Sequence, residues 1–428
     1  MKHATCLLTV AVGCLVSQCF SDARLAAAEP KSPKGSRESA GPPRVFLLDG
    51  QYLQTVRQRI RDGDKSLAPA LAALERDAKA ALKAGPYSVV HKGATPPSGD
   101  KHDYLSQAPY FWPNPEAPKG LPYIRRDGER NPEIKKFPDH RLLDEMAEAV
   151  ETLALAHYLK GDDAYGVKAA QLLRVWFLNP ATRMNPHLQY AQAIPGVNTG
   201  RGIGLIETRN LTRVVDAVGL LAGSTAWTEA DQLALQRWFD QYLRWMLESQ
   251  NGRDEAAAKN NHGTYYDVQV ASFALFVGKE DLAKEVLQTA KHKRIAIQIE
   301  PDGRQPLELV RTKAWSYSIG NLQGLMLLAR LSENVGVDLW DYRTADGRSI
   351  RQALDYLVPF AAGEQTWPHQ QLGGFSRQAL FPMLRRAAMR YPEERYRALM
   401  ATMPAEQPGA RNHLLLRPGA ARTPEAGD

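Results

Sequence analysis

Val277-Gly278-Lys279-Glu280-Asp281-Leu282-Ala283 joins two stretches whose apolar residues recur at helical spacing, 263–277 and 281–297. The glycine ends one helix. The acidic pair opens the next, where negative charge meets the positive end of the peptide dipoles. Leu159-Lys160-Gly161-Asp162-Asp163-Ala164 repeats the device between 141–159 and 163–177, and Val335-Gly336-Val337-Asp338 is a looser third copy. The same periodicity marks 51–82, with a break near Gly63-Asp64, and 206–221, 312–334, 350–362 and 371–390. It also marks 228–247, which opens with Thr228 and Asp231 in a capping-box arrangement. Alternating strand patterns are rare. Repeated helix hairpins build either an open solenoid or a closed ring, and the lack of a strict period favours the ring. The expectation is an all-α chain folded as an (α/α) toroid, an incomplete barrel of antiparallel hairpins.

The 428 residues are 44% hydrophobic and 24% charged, a soluble globular composition. Lys2 and His3 precede an apolar run over 4–16, and Ala26-Ala27-Ala28 offers a cleavage site. Residues 1–28 therefore read as a signal peptide for export to the periplasm or beyond, the run being too short to span a bilayer. Cys14 after Ala11-Val12-Gly13 offers a lipoprotein alternative. All three cysteines lie in this leader, so the mature chain would have no disulfide, zinc-thiolate site or cysteine nucleophile. Residues 29–43 read as a flexible lead-in, 44–403 as one toroid domain, and 404–428 as a disordered tail with a small Leu414-Leu415-Leu416 island. The net charge of +7 is compatible with a polyanionic substrate. No dense basic run points to nucleic acid, and the scattered histidines point to no metal site.

Within the domain, 100–137 breaks the helical pattern with Tyr104, Tyr110, Phe111, Trp112 and Tyr123 among its prolines. A long aromatic loop either stacks rings on a sugar substrate or pins itself to the helices. Two further stretches carry polar chemistry. One is Asn260-Asn261-His262-Gly263-Thr264-Tyr265-Tyr266, at an apparent helix start, with Asn261 placed as the N-cap. The other is Pro306-Leu307-Glu308-Leu309-Val310-Arg311-Thr312-Lys313-Ala314-Trp315-Ser316-Tyr317. Beyond it, Trp315, Ile319, Leu322, Met326 and Ala329 form an apolar stripe. Lys313, Tyr317, Asn321 and Gly324 fall on the opposite face.

These motifs resemble the alginate-lyase superfamily of polysaccharide lyases. The resemblance rests on Lys259-Asn260-Asn261-His262, Asp302-Gly303, Leu307-Glu308-Leu309, Arg311 and Tyr317. The branch carrying His102-Asp103-Tyr104, Tyr110-Phe111-Trp112-Pro113, Tyr123-Ile124-Arg125-Arg126-Asp127-Gly128 and Thr366-Trp367-Pro368 is the most similar. It covers about residues 100–370. It implies an (α/α) toroid and β-elimination of a uronate polymer without a redox cofactor. It also implies substrate contacts from Trp367 and the nearby His369. Gly263-Thr264-Tyr265 stands where the alginate lyases proper have Ser-Tyr-Trp, and Arg311 and Tyr317 are one residue closer than in those enzymes. Substrate preference is therefore not carried over.

The chemistry itself asks for donors on the uronate carboxylate, because a charged carboxylate resists the extra charge of a C5 carbanion. Asn261, His262 and Arg311 are the candidates. A base must take the C5 proton and an acid must protonate O4. Tyr317 can do both when the two groups share a face of the sugar; otherwise His262 is the base and Tyr317 the acid. A phenol titrates near about 10, and an adjacent cation lowers a pKa by about 1–3 units, which Arg311 and Lys313 would supply. Arg201 and Arg209 are further uronate contacts, with Tyr104, Tyr110, Trp112 and Lys313 completing the candidate binding set. The favoured substrate is alginate or polymannuronate, with glucuronan or a glycosaminoglycan as alternatives. A glycoside hydrolase would need two cleft carboxylates, for which Glu207, Asp267 and Glu308 are the nearest offers. A non-catalytic polyuronate-binding protein is the remaining reading.

Overall fold

The computed structural model describes residues 41–391, 394–403 and 406–416. The leader and most of the lead-in lie outside the described residues, as does the tail beyond 416. Sixteen α-helices follow along the described chain. They are α1 (Gly50–Arg61), α2 (Ala68–Ala81), α3 (Asp139–Lys160), α4 (Asp163–Leu173), α5 (Leu211–Leu220), α6 (Glu229–Glu248), α7 (Gln250–Ala257) and α8 (Asn261–Phe276). Then come α9 (Glu280–Ala290), α10 (Ala296–Gln298), α11 (Pro306–Leu309), α12 (Ala314–Ser332), α13 (Ile350–Ala362), α14 (Phe381–Arg390), α15 (Glu394–Thr402) and α16 (Asn412–Leu415). None is long and apolar enough to cross a membrane.

The hairpin signals work as read. Gly161 takes a left-handed conformation after α3, and Asp162 caps α4 by accepting from Ala164 N–H. Gly278, also left-handed, separates α8 from α9. The Thr228–Asp231 capping box opens α6. Helix α3 packs on α4 and α5, and α8 packs on α9, α12, α5, α6 and α7. Successive helix pairs thus close an (α/α) toroid. Helix α8 is buried on nearly every side from Asn261 to Phe276, the mark of an inner helix. Its first turn carries the site.

Three departures from the sequence reading have physical causes. First, 371–390 is not one helix: α14 starts only at Phe381, because 363–376 packs as a loop beneath α12, where Trp315 meets Trp367 and Phe375. Second, the aromatic loop forms short strands. These are β1 (Leu105–Gln107), β2 (Phe111–Trp112) and β3 (Ile124–Arg125), with β4 (Tyr190–Ala193) farther along. Strand β1 pairs parallel with β4, and β2 pairs antiparallel with β3, setting Phe111 opposite Arg125. Each is too short to show a period. Third, 406–416 packs on the domain instead of forming part of a loose tail. Leu414 is fully buried, and Glu406 is ion-paired with Arg385.

Candidate active-site cleft

Asn260, not Asn261, caps α8, its side chain accepting from His262 N–H at 3.3 Å. Asn261 is the first helical residue. Its backbone N–H and side-chain amide both donate to Glu308, at 2.7, 2.8 and 3.0 Å. Glu308 is buried, and burial pushes its carboxyl up although Asn261 stabilises the charge. This pairing ties α11 to the start of α8. It leaves the Asn261 amide at most one N–H for a ligand.

His262 follows on the first turn. Its Nδ1 lies 2.8 Å from Glu255 Oε1 on α7. Glu255 is buried, and its Oε2 has no hydrogen-bond partner among the described residues. A carboxylate on Nδ1 fixes the ring and its tautomer, turning Nε2 outward as the free nitrogen. Glu255 escaped the sequence reading because Gln250-Asn251-Gly252-Arg253-Asp254-Glu255 is polar throughout and has no apolar phase. The spacing of seven residues to His262 is the only signal it offers.

Arg311 sits just ahead of α12, as expected, but it is not free. It forms a two-pronged pair with Asp127, Nε at 3.1 Å and Nη2 at 2.8 Å. Its guanidinium also lies 3.8 Å from the centroid of the Tyr317 ring. Gly128, next to that aspartate, has φ +79° and touches Thr312 so closely that a Cβ would stand 2.5 Å from its Oγ1. The β2–β3 ribbon is thereby clamped to the start of α12.

Tyr317 is half-buried and donates to Tyr110 Oη at 3.1 Å. Burial is the largest influence on its phenol, and the bond to Tyr110 adds to it. Together they push it well above the ordinary tyrosine value despite Arg311. The expected depression by a neighbouring cation is therefore reversed in the free protein. On α12 the cleft face is Tyr317, Gly320 and Gln323. Asn321 and Gly324, placed on that face from the sequence, are buried against α8, and Asn321 hydrogen-bonds Thr264, Gln298 and Gln305.

Tyr110, Arg201, Arg209, Asn261, His262, Arg311 and Tyr317 all line one cleft of about 820 Å³. Arg201 donates to Gln192 at 2.8 Å and stands 5.0 Å over the Phe111 ring, and its Nε has no partner among the described residues. Burial, with Arg125 nearby, pushes it down to about 10. Gln192 holds φ +51°, strain of the kind that collects at functional sites. Arg130, also on the cleft wall, and Arg209 have no carboxylate partner among the described residues. Neither Gln192 nor Arg130 was singled out from the sequence.

The family model for alginate lyase matches residues 88–367. The chain belongs to the alginate lyase family. As a family member it is a polysaccharide lyase. A crystal structure of an alginate lyase from Bacteroides ovatus is 41% identical, with a TM-score of 0.84 over 87% of this chain and 99% of that one. The alginate lyase A1-III of Sphingomonas species A1 is 15% identical, with a TM-score of 0.56 over 87% of this chain and 96% of that one, a likeness of fold. A histidine-to-alanine variant of A1-III, complexed with a tetrasaccharide, superposes with a TM-score of 0.55 at 14% identity over 89% of this chain and 98% of that one. No match is found among the curated proteins.

Five of the expected substrate contacts lie outside this family member's cleft. Tyr104 is fully buried, and its hydroxyl donates to Glu207 at 2.8 Å. Trp112 turns away, its Nε1 on Glu129 O and Arg126 over its ring. Lys313 bridges to Gln371 through the backbone. Trp367 packs edge-on against Trp315 and Phe360, and His369 packs against Trp367. The aromatic loop is thus split, with Tyr110 and Phe111 facing the cleft and Tyr104 and Trp112 pinning the backbone. The hydrolase reading also loses its carboxylates. Glu207 accepts from Tyr104 and Ser106, Asp267 is locked to Arg294, and Glu308 to Asn261.

Proposed function

We propose that this lyase cleaves alginate by β-elimination in the cleft of Tyr317 and His262. The carrying observation is the cleft itself. It brings an anchored imidazole and a protonated phenol together with Arg130, Arg201 and Arg209, cations that lack carboxylate partners among the described residues. The identity to the Bacteroides ovatus alginate lyase supports the choice of polymer. Unpaired guanidiniums in a partly dry cleft favour a polymer with a carboxylate on every sugar. Arg201, the remaining Asn261 N–H and the free Nη1 of Arg311 hold the carboxylate at the cleavage site.

The reaction removes the C5 proton. Its electron pair forms the C4=C5 double bond, the C4–O4 bond breaks, and O4 takes a proton. Tyr317 supplies that proton. In L-guluronate the C5 hydrogen and O4 lie on opposite faces, and Nε2 of His262 is the base. In D-mannuronate they share a face, and Tyr317 serves both steps after giving up its own proton.

The test is a panel of alginate, polymannuronate, polyguluronate, glucuronan and glycosaminoglycans. It is read by the ultraviolet absorbance of the new double bond and by product sizing. Alginate blocks should give the strongest signal. Reducing ends without that absorbance would select hydrolysis, and oligomer binding without turnover would select a binding protein. Export is part of the same proposal, on the strength of the 1–28 leader. It is checked by the N-terminus of the protein recovered outside the cytoplasm, expected after Ala28.

A further inference from the structure

A second cavity, of about 430 Å³, is lined from α3, α5, α8, α12, α14 and α16. It shares Arg209, Tyr265 and Gln323 with the cleft. Its size is that of a small-molecule site. Two acids face it, and both are committed. Asp216 accepts from the backbone N–H groups of Phe46, Leu47 and Leu48 at 2.7, 3.0 and 2.7 Å. Glu151 is ion-paired with Arg213.

Arg386 on α14 is different. It lines the cavity, yet it has neither a carboxylate nor a hydrogen-bond partner among the described residues. Burial, reinforced by Arg330 and opposed less strongly by Glu333, disfavours its charge. Arg209 on the shared wall likewise lacks an acid. Both side chains are half-buried, and a partly desolvated charge without a counter-ion favours an anionic ligand. Two guanidiniums lining one partly enclosed pocket suit it to an anion. Leu47, Leu48, Val268, Leu327 and Leu415 add aliphatic surface to the lining. Such mixed lining suits a carboxylate carried on a compact ring better than a fully hydrated inorganic anion.

We propose that this cavity is a second uronate site, which takes one or two acidic sugar residues through Arg386 and Arg209. The choice of a uronate rests on the lyase reading above; the anion site rests on Arg386 and Arg209. The experiment is titration calorimetry of the full chain with D-glucuronate, a probe too short to span the cleft. Wild type should bind it, Arg386→Gln should weaken binding at least about tenfold, the loss of one charged, bidentate contact, and Arg201→Gln, which removes a carboxylate contact of the cleft, should leave the Arg386-dependent binding in place. Glucose, which lacks the carboxylate, should not bind. Absence of glucuronate binding, or equal binding by Arg386→Gln, overturns the site. So does a matching loss in Arg201→Gln, which would place the probe in the cleft. Phosphate binding as tight as glucuronate overturns the uronate assignment. Arg386→Lys keeps the charge without the fork, and serves if Arg386→Gln does not fold by circular dichroism; its affinity should fall between the two. Glucuronate binding that depends on Arg386, with no elimination product from the panel, would remove the lyase reading and leave the cavity standing.

Discussion

Tyr317→Phe should lower kcat on alginate by about 10²–10⁴-fold, the range a positioned acid or base contributes, with little change in KM. The variant keeps the ring under the Arg311 guanidinium and loses only the hydroxyl that donates to Tyr110. One such hydrogen bond is worth about 1 kcal/mol, so the helical circular dichroism and melting curve should stay close to wild type. Retained activity would remove Tyr317 from the chemistry. The pH profile then separates the two routes. Burial and Tyr110 hold the phenol above its ordinary value. If Tyr317 must first be a phenolate, the reactive fraction grows about tenfold per pH unit below its pKa, so kcat/KM keeps climbing through the alkaline range. If Tyr317 acts only as an acid, its proton is present throughout, and no alkaline fall begins until above about pH 10. A climbing profile on polymannuronate with a flat one on polyguluronate is the expected pair. Identical profiles would sink the division of labour between Tyr317 and His262.

What could be read from the chain is what local physics controls. Gly161 with Asp162, and Thr228 with Asp231, announce helix ends by the hydrogen bonds and dipoles they satisfy, and they do so in the structure. Helix α13 falls on the expected 350–362. The stripe from Trp315 to Ala329 is buried, and Tyr317 reaches the cleft. The failures involve partners far away in sequence. Arg311 looked available for a ligand, but Asp127, 184 residues earlier, occupies two of its donors. Tyr104 looked like a sugar platform until Glu207, 103 residues on, took its hydroxyl. A nearby charge alone sets the pKa that the sequence predicts for Tyr317, whereas its burial is a property of the assembled cleft. Glu255 shows the opposite gap: it is close in sequence to His262 but lies on a helix with no apolar stripe to reveal it.

Arg294→Met should destabilise the protein by about 3–5 kcal/mol, the cost of leaving one member of a buried ion pair alone. Arg294 is 1% exposed and grips Asp267 through Nε and Nη2 at 2.6 and 2.9 Å. The same guanidinium donates to the carbonyls of Ala256 at 2.9 Å and Ala258 at 2.6 Å. Those carbonyls lie at the end of α7, which carries Glu255, and in the turn that leads to α8, which carries Asn261 and His262. One side chain therefore welds the two halves of the imidazole anchor. Gly263 shows how tight the weld is: a Cβ there would stand 2.1 Å from Ala258 O and 2.3 Å from an Arg294 nitrogen. The urea midpoint should fall with the slope unchanged, and activity should fall further than the folded fraction does, because His262 loses its fixed orientation. Replacing both partners, Arg294→Met with Asp267→Leu, removes the stranded charge and should recover much of the stability. It leaves the Ala256 and Ala258 carbonyls unheld, so activity should stay low. Full recovery of turnover in the double variant would show that the pair serves only the core and not the site.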